Sequence, residues 1–223
     1  PGCASRSATP SPGRGAARLT VYRQPALGYD EGIDAVAPGT TLLGYFQSWR
    51  YFERVATRLA DALTGAALTD AEEKLLASFR DAPAITAHVR RGDYLTPQAA
   101  AHHGIATADY FVRALSLLRR LSTMTVEVRA FTDSPDIVRV EMADVQNLEL
   151  VADSASLGTL ATVRAMSEGV AFAMSNSSFS WWAAWLLSRR DPSAPVVAPR
   201  PWQADGQSGH DQLLPNWLTL DAR

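Results

Sequence analysis

The run TAHVRRGDYL (residues 86–95) crowds two arginines and an aspartate onto the end of an apolar segment. Arg90 and Arg91 extend from an expected strand end into a glycine-containing turn, where a guanidinium can offer its planar fork to a diphosphate. Asp93 can orient an arginine or the ligand. A solvated corner closed by an Arg–Asp pair fits the same spacing equally well. Arg91-Gly92-Asp93 also spells an adhesion tripeptide, a reading that requires an exposed loop tip.

A second run, SNSSFSWWAAWLL (175–187), gathers hydroxyls and an amide where a strand passes into a helix. Ser177, Ser178 or Ser180 can cap that helix while neighbouring N–H groups bind a phosphate. Trp181, Trp182, Trp185 and Leu186 recur as the packed face of the helix, a better account of them than a base-stacking platform. Asn176-Ser177-Ser178 satisfies the N-glycosylation pattern, but a place beside a buried helix argues against its use.

These residues need a scaffold, and the chain between them supplies one. After Pro83, strand-like and helix-like stretches alternate: AITAHV, a helix over 109–121, TVEVRAF, a helix over 135–142, NLELV, a helix over 156–167, GVAFAM, a helix over 179–189, and APVVAP. Such alternation predicts a parallel sheet with right-handed crossovers, and ligands of such sheets bind beyond the carboxyl ends of the strands. Three polar clusters fall there: His88 to Asp93, Thr132-Asp133-Ser134, and Ser175 to Ser180. By contrast, Arg119-Arg120 and Arg189-Arg190 fall in last helical turns, where arginines complement the dipole.

Upstream, TTLLGYFQSWRYF leads into a helix reaching about Leu63, with Phe52, Val55, Leu59 and Leu63 at helical spacing. A further helix starts at a Thr69–Glu72 capping box and buries Leu75, Leu76 and Phe79 before Pro83 interrupts it. Residues 1–18 are mostly Pro, Gly, Ser and Ala with three arginines, and they read as a disordered extension. The expected organisation is an extension over 1–20, connecting helices and part of a first lobe over 21–82, and a nucleotide-binding lobe over 83–223.

The bulk composition bounds the chemistry. The 223 residues are 47% hydrophobic and 20% charged with a net charge of −2, which excludes a disordered chain and general attraction to nucleic acid or anionic membranes. Cys3 is the sole cysteine, so neither an internal disulfide nor a thiolate metal cluster can form. No apolar run approaches the roughly 20 residues that span a bilayer. There is no D-x-D metal hook, and His102-His103 has no ligand set around it, so metal-independent chemistry is expected. The absence of G-x-G-x-x-G, G-x-x-x-x-G-K and G-x-S-x-G weighs against dehydrogenase, ATPase and hydrolase readings.

The segments GYFQSWRYF (44–52), HVRRGDY (88–94), FTDS (131–134), SNSSFSWWAAWL (175–186) and the terminal stretch ending in PNWL together resemble the α1,2-fucosyltransferase family, glycosyltransferase family 11, from about residue 40 to the end. The resemblance implies an α/β fold: a Rossmann-like parallel sheet forming the second lobe of a GT-B type glycosyltransferase, with a remnant of the first. It implies GDP-fucose as donor, a galactose-terminated oligosaccharide as acceptor, inversion at the anomeric carbon, and no metal or other cofactor.

Residue by residue, His88, Arg90, Arg91 and Asp93 match the family's H-x-R-R-x-D motif, which implies an arginine on the diphosphate, with Asp93 as the one candidate base. Asp133 matches the acidic position after the next strand. Asn176, Ser177 and Ser178 match the loop over the donor phosphates. The sequence departs from the family at Thr162, where an acidic residue for guanine is expected, and at Gly169 and Ala171. It also lacks the glycine-rich opening of the first lobe, so a truncated or divergent first lobe is expected, with a modest GDP affinity and fucosyl transfer near background. The rival readings are a non-catalytic GDP-sugar or glycan-binding module, and adhesion through Arg91 to Asp93. A cytoplasmic location, or one at the cytoplasmic face of the membrane, is the expectation.

Overall fold

The computed structural model describes residues 20–92, 104, 106–122, 127–151, 157–204 and 211–223. The expectations for residues 1–19, Asp93 and His102-His103 lie outside these. The chain divides into two compact units, one of residues up to Ala26 with Asp30–Tyr45, the other of Leu27–Tyr29 with Phe46–Arg223.

In the smaller unit β1 (Val21–Arg23) pairs in parallel with β2 (Thr41–Leu43). A 3-10 turn, Glu31–Ala35, is capped by Asp30, whose carboxylate accepts from Gly32 N at 3.2 Å and also from the Tyr22 hydroxyl.

The larger unit is built on a six-stranded sheet of β3 (Ala84–Val89), β4 (Glu127–Thr132), β5 (Leu148–Leu150), β6 (Ala171–Ala173), β7 (Val196–Arg200) and β8 (Leu218–Asp221). Its order is β5-β4-β3-β6-β7-β8 and every pairing is parallel. All six residues of β3 are buried, as a central parallel strand covered on both faces requires. β8, LTLD, is mostly exposed at the edge, with Leu220 packed against the core.

Helices cover both faces. On one side α3 (Ala108–Leu121) and α4 (Pro135–Glu141) bury Tyr110, Phe111, Leu115 and Val138 against Ile85, Ala87 and Val128. On the other, α2 (Asp70–Asp81), α5 (Thr159–Ser167) and α6 (Ser178–Arg190) bury Leu76, Phe79, Met166, Trp181 and Trp185 against Phe131, Phe172 and Val196. Neighbouring residues of β6 and β7 alternate between the two cores, the period of two that a strand imposes. No helix among the described residues is long and apolar enough to cross a membrane.

Two expectations are refined. The helix expected through Leu63 starts only at Ala56, as α1 (Ala56–Thr64), after 3-10 turns at Trp49–Tyr51 and Glu53–Val55. The compact units divide at residues 45 and 46 rather than at 82 and 83, because Leu76 and Phe79 of α2 are part of the sheet's own core. The Thr69 capping box is present in both directions. Glu72 also accepts from Gly158 N at 3.0 Å, which ties α2 to the start of α5.

Candidate functional site

The strand order reverses direction between β3 and β6, and in open parallel sheets that switch point opens a crevice at the carboxyl edge. Ser175, just past β6, stitches it together. Its buried hydroxyl donates to His88 O at 2.7 Å and accepts from Arg90 N at 3.0 Å. Sequence reasoning counted Ser175 within a cluster but gave it no role; its position as the first hydroxyl after the strand was the available signal.

The two arginines at the end of β3 have opposite fates. Arg91 is 1% exposed. Its Nε donates to Glu141 at 2.7 Å, and its NH1 group donates to the carbonyls of Arg90 and Ala106 at 3.0 and 2.9 Å. The planar fork expected to face a diphosphate is thus spent on closing α4 against the strand end, the role of a structural arginine. Arg90 instead keeps 34% of its side chain exposed, and its NH1 lies 2.6 Å from Asp133 Oδ2. Of the two guanidinium groups expected at the strand end, Arg91's is buried and Arg90's is partly exposed.

Asp133 follows β4 and works on the protein's own groups. Oδ1 accepts from Arg91 N at 3.0 Å and from the Ser134 hydroxyl at 3.3 Å, while Oδ2 faces Arg90. The close approach depends on Gly92, whose φ is +23° and whose Cα could carry a Cβ only 2.4 Å from Asp133 Oδ2.

His88 lies beneath this corner, 5% exposed, with Nδ1 2.5 Å from the Ser180 hydroxyl and its ring against Phe179. Burial lowers its pKa to about 4; the Asp133 carboxylate opposes that shift and the Arg90 guanidinium adds to it. The imidazole is therefore neutral at pH 7, and it can exchange hydrogen bonds without adding charge.

The N-terminus of α6 faces the same edge. Ser177 is its N-cap, with Oγ accepting from Phe179 N at 3.3 Å, and no acidic residue occupies the first turn of this 13-residue helix. The N–H ends of a helix carry partial positive charge, which suits an anion. Ser178 is exposed at that end. Asn176 turns inward, 6% exposed, and its Nδ2 donates to Trp202 O at 3.2 Å and Gly104 O at 3.3 Å. Its amide braces the loop, and so buried a position does not suit the glycosylation pattern it completes.

Of the expected site residues, then, His88, Arg90, Asp133, Ser177 and Ser178 gather at the switch point. Arg91 and Asn176 support them from inside, and Asp93 lies outside the described residues. Thr162 is buried in α5, its hydroxyl donating to Gly158 O at 3.2 Å. Among the described residues no group of three or more His, Cys, Asp or Glu is arranged to hold a metal. One guanidinium, a helix end and the hydroxyls of Ser177 and Ser178 thus share this edge of the sheet.

Residues 38–221 match the family model for Glycosyl transferase family 11. The chain is similar to the O-antigen biosynthesis glycosyltransferase WbnK of Escherichia coli, with 31% identity over 134 residues, 60% of this chain and 43% of that protein. It is also similar to an alpha-1,2-colitosyltransferase of Escherichia coli, with 25% identity over 210 residues, 86% of this chain and 67% of that protein. The match thus spans less than half of the first relative and about two thirds of the second.

Proposed function

Because the chain belongs to glycosyl transferase family 11, we propose that it binds GDP-fucose at the switch point and serves transfer of fucose to a hydroxyl of a galactose-terminated oligosaccharide. The observation that carries this is Arg90, held by Asp133 at 2.6 Å, with its backbone N bonded to Ser175 two residues before the N-cap of α6. In the reaction the acceptor oxygen bonds to the anomeric carbon on the face opposite the departing β-phosphate oxygen, so configuration inverts and GDP leaves with the bonding pair. Charge grows on that oxygen as the bond breaks. The Arg90 guanidinium and the N–H groups at the start of α6 are placed to stabilise it, work that a divalent cation does in D-x-D enzymes. The proton leaves the acceptor hydroxyl to a base, for which Asp93 is the candidate.

His88 stays neutral under the phosphates, and Ser177 and Ser178 complete the pocket. The relative named as a colitosyltransferase makes colitose the rival donor sugar. The test incubates the protein with GDP-fucose or GDP-colitose, an N-acetyllactosamine acceptor and a chelator, and reads the product linkage by NMR. Fucose α-linked to O2 of galactose is the expected product. Product from GDP-colitose alone would move the donor to the rival sugar, and failure of both nucleotide sugars to bind would remove the donor assignment.

A further inference from the structure

A second cluster, which the phosphate-facing residues do not include, forms where segments 27–29, 46–51 and 211–212 meet inside the larger unit. The rings of Tyr29 and Tyr51 are 4.8 Å apart at 52°, and Phe46 meets Tyr51 edge-on at 5.3 Å. The Arg50 guanidinium lies 4.1 Å over the Tyr29 ring, with NH1 3.9 Å from Asp211. Asp211 is buried and accepts from Tyr29 N on both oxygens, at 3.2 and 3.0 Å. Gln212 Nε2 donates to Gln47 Oε1 at 3.1 Å.

Core packing accounts for the rings but not for a guanidinium and a carboxamide among them, and Tyr29, Phe46, Gln47, Arg50 and Tyr51 all remain partly exposed. Apolar ring surface interleaved with planar hydrogen-bonding groups is the composition a pyranose needs, since a sugar ring has apolar C–H faces and a rim of hydroxyls. Arg50, held over Tyr29 and near Asp211, is pre-organised and loses little freedom when a ligand arrives. Phe46 holds a φ of +50°, a conformation rare for an aromatic residue, and Ser48 N donates to its carbonyl at 3.0 Å. Such local strain concentrates at binding sites.

The cluster is fastened to the helix that frames the anion site. Trp181, four residues after the N-cap of α6, donates from its indole to Gln212 O at 2.7 Å. Phe52 packs on Trp181, Trp182 and Trp185 with centroids 5.8, 5.2 and 5.5 Å away. A sugar seated here lies beside the first turns of α6.

We propose that Tyr29, Phe46, Gln47, Arg50 and Tyr51, positioned by Asp211, form the pyranose subsite that holds the galactoside acceptor. This rests on the transferase reading above. The test measures binding of N-acetyllactosamine by saturation-transfer NMR, with and without saturating GDP, and GDP affinity by calorimetry, for wild type, Arg50→Gln, Arg50→Lys and Gln47→Ala. The galactoside is expected to bind the wild type and to bind each variant roughly tenfold or more weakly, as loss of a charge-assisted or well-placed hydrogen bond implies, with GDP affinity and melting temperature unchanged. Arg50→Lys separates a requirement for the planar fork from one for charge alone, and Gln47→Ala decides the matter if Arg50 variants lose stability. Equal galactoside binding in wild type and variants, or none to the wild type, overturns the subsite. Galactoside binding without GDP binding would instead remove the donor reading and leave the subsite standing.

Discussion

The guanidinium of Arg90 and the carboxylate of Asp133 meet at 2.6 Å just beyond the last paired residues of two neighbouring strands, Val89 and Thr132. Both side chains are partly exposed, so the pair adds at most about 1 kcal/mol to stability. Its consequence is orientation. Asp133 is itself anchored by Arg91 N and Ser134, so a side chain with several rotatable bonds is held from a fixed point at the carboxyl ends of the strands.

Gly92→Ala tests that anchor. A Cβ there would meet Asp133 Oδ2 at 2.4 Å, and φ is +23°, so either the turn or the carboxylate must move. The expected cost is about 1–3 kcal/mol in chemical denaturation, together with weaker GDP binding in calorimetry. A variant as stable as wild type with unchanged GDP affinity would show that the close approach is dispensable.

Arg91→Ala should act on stability first. It strands Glu141, two carbonyls and the packing on Phe111, whose ring lies 5.8 Å from the guanidinium carbon. Breaking a buried pair costs roughly 3–5 kcal/mol; Glu141 is one-third exposed, so about 2–4 kcal/mol is expected in urea titrations. Arg91→Met, which keeps the stem, should recover part of the loss. An unfolding midpoint equal to wild type in Arg91→Ala would contradict the structural role.

His88 predicts a pH dependence. Its folded pKa is lowered to about 4 by burial, below the ordinary value of 6.5, so the unfolded chain binds a proton that the folded chain refuses between those limits. The stability contribution is complete above pH 6.5 and is lost as pH falls toward 4, on the order of 3 kcal/mol in all. His88→Gln should flatten that part of the stability profile. An unchanged slope between pH 6.5 and 4 would refute it.

Much of this was legible in the sequence because local and global preferences agree. AITAHV is mostly apolar and buried throughout, as suits a strand covered on both faces; Thr69 and Glu72 stand at capping-box spacing; and the hydroxyls of SNSS mark where β6 gives way to α6. What stayed hidden depends on distant partners. Nothing near Arg90 and Arg91 says which faces inward; Glu141, 50 residues on, decides it. The edge strand β8 is only four residues long and mostly exposed, and the Tyr29–Asp211 contact joins residues 182 apart. Thr162 stood out as a departure from a family pattern, but its bond to its own helix emerges only in the fold.

The most direct test of the donor site is calorimetric titration of GDP into wild type, Arg90→Ala and Arg119→Ala, each with and without a strong chelator. Arg119 lies in the last turn of α3 and bonds Gln146 O, away from the strand ends, so it is the control. The account predicts GDP binding to wild type and Arg119→Ala that survives chelation, and a loss of about 1.5–3 kcal/mol in Arg90→Ala with its fold intact. Equal GDP affinity in wild type and Arg90→Ala, or a loss on chelation that manganese restores, would contradict it.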